Sequence, residues 1–179
     1  KIYTRRIEPG LDAFVLPKKG FNKKYAIFAT NFGSIDSHFI VEGEGKELLV
    51  PDGVAHFLEH KLFEEESGNV FDRFAVLGAS SNAFTNFTNT AYLFSTTDNF
   101  SECLEILLDF VQEPYFTTES VEKEKGIIEQ EIRMYEDNPQ WRIFFNLLAA
   151  LYQYHPVKID IAGTVESIRQ IDKDVLYKC

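Results

Sequence analysis

Asp52-Gly53-Val54-Ala55-His56-Phe57-Leu58-Glu59-His60-Lys61-Leu62-Phe63-Glu64 is the stretch from which the rest of the chain is read. Asp52 is a capping residue type, and the spacing predicts a helix over about 53–64. On such a helix, positions i, i+3 and i+4 share a face. His56, Glu59 and His60 then point together, while Val54, Phe57, Leu58 and Leu62 turn toward a core. Two imidazoles one turn apart can bind one divalent ion, and a carboxylate beside them can take a proton from water. The plain alternative is a pair of surface histidines on an ordinary helix. The chain has only four histidines, His38, His56, His60 and His155. Two of the four fall at ligand spacing with a glutamate on the same face, which favours a metal site.

Outward from this helix, the pattern changes period. Before it, 2–7, 11–16 and 25–30 are apolar and β-prone, with turns at Pro9-Gly10 and over 17–20. The stretch 33–48 mixes glycine, serine and charge, and reads as a strand end followed by loop. After the helix, Asn69 opens a second one over 70–77, which Gly78 ends. Two strand-like runs follow, 80–85 and 90–95, joined by the polar turn 86–89. Asp98 or Asn99 caps a helix to about Gln112. Thr117 or Thr118 caps a long helix to about Tyr135, which Asn138-Pro139 breaks. Further helices are expected over 141–152, from Thr164, and over 172–178, with a loop from His155 to Gly163. The order of strands, helices, hairpin and helices implies an α+β fold, a largely antiparallel sheet with helices packed on one face.

Composition sets bounds. The 179 residues are 45% hydrophobic, 26% charged and 15% aromatic, enough for one domain with a packed core. A net charge of −10 disfavours a nucleic-acid partner, because phosphate backbones are repelled. No apolar run approaches the roughly 20 residues that span a bilayer, so no membrane partner is expected. Cys103 and Cys179 form no close pair, and Cys103 lies at helical spacing among Phe100, Leu104, Leu107 and Val111, as a core residue would. A reducing, cytoplasmic compartment fits this usage. The chain begins at Lys1 and stops inside a helical pattern, so residues 1–179 are expected to be a fragment of something longer.

A catalytic zinc usually has three protein ligands. The long helix offers Glu122, Glu124, Glu129 and Glu131. Glu124 and Glu131 stand two turns apart on one face, and Glu131 leads into Ile132-Arg133-Met134, a run that reads as buried. These patterns leave Glu129 and Glu131 both open as the third ligand, and an acidic helix face is as often simply solvated.

The order H-x-x-E-H is the inverzincin signature. On this motif and on Glu-Lys-Gly-Ile-Ile-Glu-Gln-Glu (124–131), the chain resembles the N-terminal catalytic domain of the family of pitrilysin, insulin-degrading enzyme and the mitochondrial processing peptidases. The resemblance implies Glu131 as third ligand, with Glu129 as the fallback, and Glu124 as a group orienting a histidine. Ser81-Asn82-Ala83-Phe84-Thr85 is similar to the family's Asn-Ala-x-Thr edge strand, which implies that Asn82, Ala83 and Phe84 contact an extended peptide by main-chain pairing. By itself this run is an ordinary strand, and Phe84 also suits a core. His155-Pro156-Val157 and Ala162-Gly163-Thr164 resemble an architectural loop of the family. His155 and His38 are expected to be structural or exposed rather than ligands.

What the resemblance implies is a zinc-dependent metalloendopeptidase acting on peptides or unfolded segments, with Zn2+ held by His56, His60 and Glu131 and Glu59 as the catalytic base. It also implies a homologous second half-domain or partner subunit. The alternative is a catalytically silent peptide-binding or assembly subunit of a heteromeric processing protease.

Overall fold

The computed structural model describes residues 1–8, 10–41 and 45–179. Pro9, half of the expected turn at 9–10, lies outside the described residues; Gly10 has the left-handed φ of +88° that such a turn uses. β1 (Tyr3–Glu8) and β2 (Leu11–Val15) pair antiparallel.

The sheet that matters for the site has three antiparallel strands. β3 (Lys24–Thr30) and β8 (Ser80–Thr85) flank β9 (Thr90–Thr96) in the order β3-β9-β8. β9 takes the centre because it carries the apolar and aromatic run Ala91-Tyr92-Leu93-Phe94, of which Ala91, Tyr92 and Phe94 are buried. Register places Phe28, Tyr92 and Ala83 on one face, with Ala26, Phe94 and Ser81 beside them. The same face receives α1 (Val54–Lys61), α2 (Val70–Val76) and α3 (Phe100–Phe110). Phe57, Phe74, Phe94, Leu107 and Phe110 meet there in the core, with Cys103 among them, buried and free. α4 (Thr118–Glu136) closes the layer, burying Val121, Glu124, Ile128 and Ile132 at helical spacing. α5 (Pro139–Leu151), α6 (Val165–Ile168) and α7 (Lys173–Lys178) complete the chain. This is the expected α+β fold with antiparallel pairing and helices on one face. No helix among the described residues is long and apolar enough to cross a membrane.

Caps largely follow the sequence. Asn69 accepts from Phe71 N–H, Thr117 and Ser120 form a capping box, and Asp172 accepts from Val175 N–H. Asn138 both ends α4 and caps α5, so α5 starts at Pro139, two residues before the expected Trp141.

Four expectations need correction. Asp52 does not cap α1; Gly53 does, at φ +87°, because a Cβ there would lie 2.3 Å from the Ala162 carbonyl oxygen. The chain from Ala162 to Ser167 thus lies against the start of α1, and Ser167 Oγ donates to the Asp52 carbonyl at 2.8 Å. The helix stops at Lys61 rather than Glu64, because 64–65 (β6) turns back to pair with 68–69 (β7). The expected loop 33–48 contains two short strands, β4 (His38–Ile40) and β5 (Glu47–Leu49), paired to each other; three-residue strands are too short to show a period. In the run after Glu131 only Ile132 is buried, and Met134 is exposed because α4 has one covered face.

Candidate metal centre

α1 lies on β8 and β9 with Phe57 driven fully into the core. That fixes the rotation of α1, and with it the direction of the face that carries His56, Glu59 and His60. α4 crosses α1, and burial of Val121, Ile128 and Ile132 sets its rotation. Glu124 and Glu131 are thereby turned toward the α1 histidines.

The three donors converge. His56 Nε2 is 3.7 Å from Glu131 Oε1, and His60 Nε2 is 3.5 Å from Glu131 Oε2. One ligand atom from each of His56, His60 and Glu131 lies within 4.8 Å of the other two. Tetrahedral coordination at the usual zinc distances separates donors by about 3.3 Å. Two imidazoles and a carboxylate are also a zinc donor set, so the residues fit the ion. Glu129, the fallback, is elsewhere: it pairs with Arg133 at 2.6 Å and Arg169 at 3.4 Å, and the Arg133 hydrogen bond holds its carboxyl below the usual range.

The two histidines differ in charge behaviour. His56 is buried, and burial followed by the neighbouring His60 charge lowers its pKa to about 3. Among the described residues its Nδ1 is buried without a hydrogen-bond partner. Burial also pushes His60 down, but the hydrogen bond and charge of Glu124, and then the charges of Glu131 and Glu59, outweigh it and raise the pKa overall. His60 Nδ1 is 2.9 Å from Glu124 Oε1. A carboxylate only accepts, so Nδ1 carries a hydrogen, and in the neutral ring Nε2 is the atom left with a lone pair for a metal.

Glu59 sits beside this group. Thr85 Oγ1 donates to its Oε2 at 2.7 Å. Burial raises the Glu59 carboxyl above the usual range; Thr85 and the His60 charge pull the other way without reversing it. A carboxylate raised in this manner is better matched to proton transfer near neutrality.

The strand residues lie next to it. β8 is an edge of the three-stranded sheet among the described residues, and α1 packs on it. Asn82 is exposed, Ala83 is half-buried against the core, and Phe84 is 43% exposed, so Phe84 is not a core residue. Asn82 Oδ1 accepts from Ala83 N–H at 2.9 Å. His38 pairs with Glu47 at 3.1 Å on the surface, and His155 Nδ1 accepts from Val157 N–H at 3.2 Å; neither joins the donor group.

Two contacts escaped the sequence reading. One is Thr85 on Glu59, whose only signal was its place at the end of the Ser81–Thr85 run. The other is Tyr135, one turn beyond Glu131, stacked on Trp141 with centroids 4.5 Å apart, while Trp141 Nε1 donates to Asp160. Its spacing from Glu131 was the available clue.

Comparison with known proteins identifies the family of the chain. The chain is 61% identical over 178 residues to the uncharacterised zinc protease YmfH of Bacillus subtilis, covering 99% of this chain and 42% of that protein. An M16-like peptidase from Alicyclobacillus acidocaldarius superposes with a TM-score of 0.94 at 49% identity, covering all of this chain and 42% of that one. A peptidase M16 inactive domain from Pseudomonas fluorescens shares the fold, with a TM-score of 0.81 at 18% identity, over 99% of this chain and 42% of that one. The chain therefore spans less than half the length of these relatives. The family model for insulinase, peptidase family M16, matches residues 43–165, a span that holds both histidines, Glu59, the edge strand and Glu131. The chain belongs to the insulinase family, peptidase family M16.

Proposed function

We propose that this chain is the N-terminal zinc-binding catalytic domain, residues 1–179, of a zinc-dependent metalloendopeptidase that hydrolyses peptides or unfolded polypeptide segments. The observation that carries the reading is the meeting of Glu131 from α4 with His56 and His60 from α1, at 3.7 and 3.5 Å. These three side chains would hold the metal, and a zinc ion there would supply Lewis acidity that polarises a carbonyl and acidifies water. Glu59 takes the proton of the attacking water and returns it to the departing amine, as the new C–O bond forms and the C–N bond breaks. Glu124 fixes the ring and tautomer of His60. Asn82, Ala83 and Phe84 hold the substrate as an added strand on the edge of β8, which a folded chain cannot supply.

The chain covers 42% of its relatives, so the working protein would include a homologous second half-domain or a partner subunit. A cytoplasmic setting belongs to the same reading, supported by two free cysteine thiols. The second reading, a silent peptide-binding or assembly subunit, draws on the inactive-domain relative. The complete donor set and the base at Glu59 favour the enzyme.

Metal analysis joined to a quenched-peptide assay, with and without chelator, separates the two on the full-length protein. Glu59→Gln is expected to keep zinc and lose hydrolysis by about 10²- to 10⁴-fold. His56→Ala is expected to lose both. Zinc bound by His56→Ala at full occupancy, or full activity in Glu59→Gln, refutes the assignment, and zinc binding without any wild-type hydrolysis selects the silent subunit.

A further inference from the structure

Glu59 needs one oxygen aimed at the reacting water, and a half-buried carboxylate needs a donor to stay ionised. Thr85 supplies that donor through Oγ1, at 2.7 Å from Glu59 Oε2. The Thr85 backbone N–H also acts on this carboxylate, and among the described residues no side chain donates to Glu59 Oε1.

The hydroxyl is committed to this contact. A threonine carries one hydroxyl hydrogen. Thr90 Oγ1 stands 3.3 Å from Thr85 Oγ1, but its own hydrogen goes to the Phe32 carbonyl at 2.8 Å. Thr90 is buried, and its place on central β9 is fixed by the full β3–β9 register. The Thr85 hydrogen is thus free to stay on Glu59.

Thr85 is also the last residue of the edge strand. Asn86 N–H donates to Asn89 O, so the hydrogen-bonded pairs of the hairpin continue at 84/91 and 82/93. The main-chain groups of Ser81, Ala83 and Thr85 then point away from β9, toward the free edge. One residue, Thr85, therefore borders both the peptide-pairing edge and the base.

We propose that Thr85 is a positioning residue, whose hydroxyl fixes Glu59 in register with a peptide paired along β8. This rests on the reading of Glu59 as the base. A purely packing role for the side chain would make threonine's methyl, not its hydroxyl, the part that counts.

The test compares Thr85→Val, which keeps shape and removes the hydroxyl, with Thr85→Ser, which keeps the hydroxyl, in the full-length zinc-loaded protein. Loss of a hydrogen bond to a charged group predicts a fall in kcat of about 10- to 100-fold in Thr85→Val, with KM and zinc content within about twofold. Thr85→Ser is expected to restore kcat to within about threefold of wild type. A second readout needs no turnover: urea midpoints of the metal-free single and double variants with Glu59→Gln should be non-additive, because the two side chains share one contact. Thr85→Val with wild-type kcat, a loss confined to KM, failure of Thr85→Ser to rescue, or strict additivity each overturns the proposal. Should Thr85→Val not fold, Thr85→Ser against Thr85→Ala decides by the same criteria. If Glu59→Gln itself remains active, the base reading has failed, and that variant reports it separately from any Thr85 result.

Discussion

Lowering the pH should weaken zinc binding with the signature of one proton rather than two. Both histidines must be neutral to act as ligands. With two ordinary imidazoles of pKa 6.5, affinity would fall about 60-fold between about pH 6 and about pH 5. The structure makes the pair unequal. His56 is lowered to about 3 and carries no proton in this window, so it contributes nothing to the fall. His60 is raised, so it keeps its proton to a higher pH than a free imidazole, and zinc must displace that proton throughout the window. Affinity then starts to drop above pH 6.5 and falls about tenfold per unit, about 1.4 kcal/mol, once His60 is protonated. Competition with a zinc-chelating dye between about pH 5 and about pH 7.5 measures the slope, and Glu59→Gln removes the titration of the neighbouring carboxyl. A slope near two decades per unit would refute the claim that burial holds His56 neutral, and a flat profile would refute the raised pKa of His60.

Other expectations follow from single contacts. Glu124→Gln keeps the shape beside His60 Nδ1 and removes the charge, so zinc affinity should drop about 10- to 100-fold, while Glu129→Gln on the same helix should leave it unchanged; the same dye competition reads both. Gly53→Ala forces a left-handed residue and a contact 2.3 Å from the Ala162 carbonyl oxygen, and should cost about 1–3 kcal/mol or more in urea unfolding, with zinc affinity falling as the start of α1 loosens.

Local chemistry was legible in the sequence. The face shared by His56, Glu59 and His60 follows from helical spacing. The hairpin of β8 and β9 follows from alternation around a polar turn, and Asn69, Thr117 and Asp172 announce their helices because a cap is a contact within three residues. What eluded it depends on segments far apart in the chain. Glu131 and Glu129 are alike in type and two residues apart on one helix; only the burial of Val121, Ile128 and Ile132 in the core turns the first to the histidines and leaves the second to Arg133 and Arg169. The start of α1 at Gly53 was set by the approach of Ala162, and the Thr85 hydroxyl reached Glu59 only once β8 lay beneath α1. The unequal protonation of two identical imidazoles is likewise a property of tertiary structure, because burial and a carboxylate 64 residues away, Glu124, set which one holds a proton. The chain's own order determined which donors exist and which helix face presents two of them; folding decided the third donor, the base's partner and the charge each group carries, since those depend on distance through space rather than along the backbone.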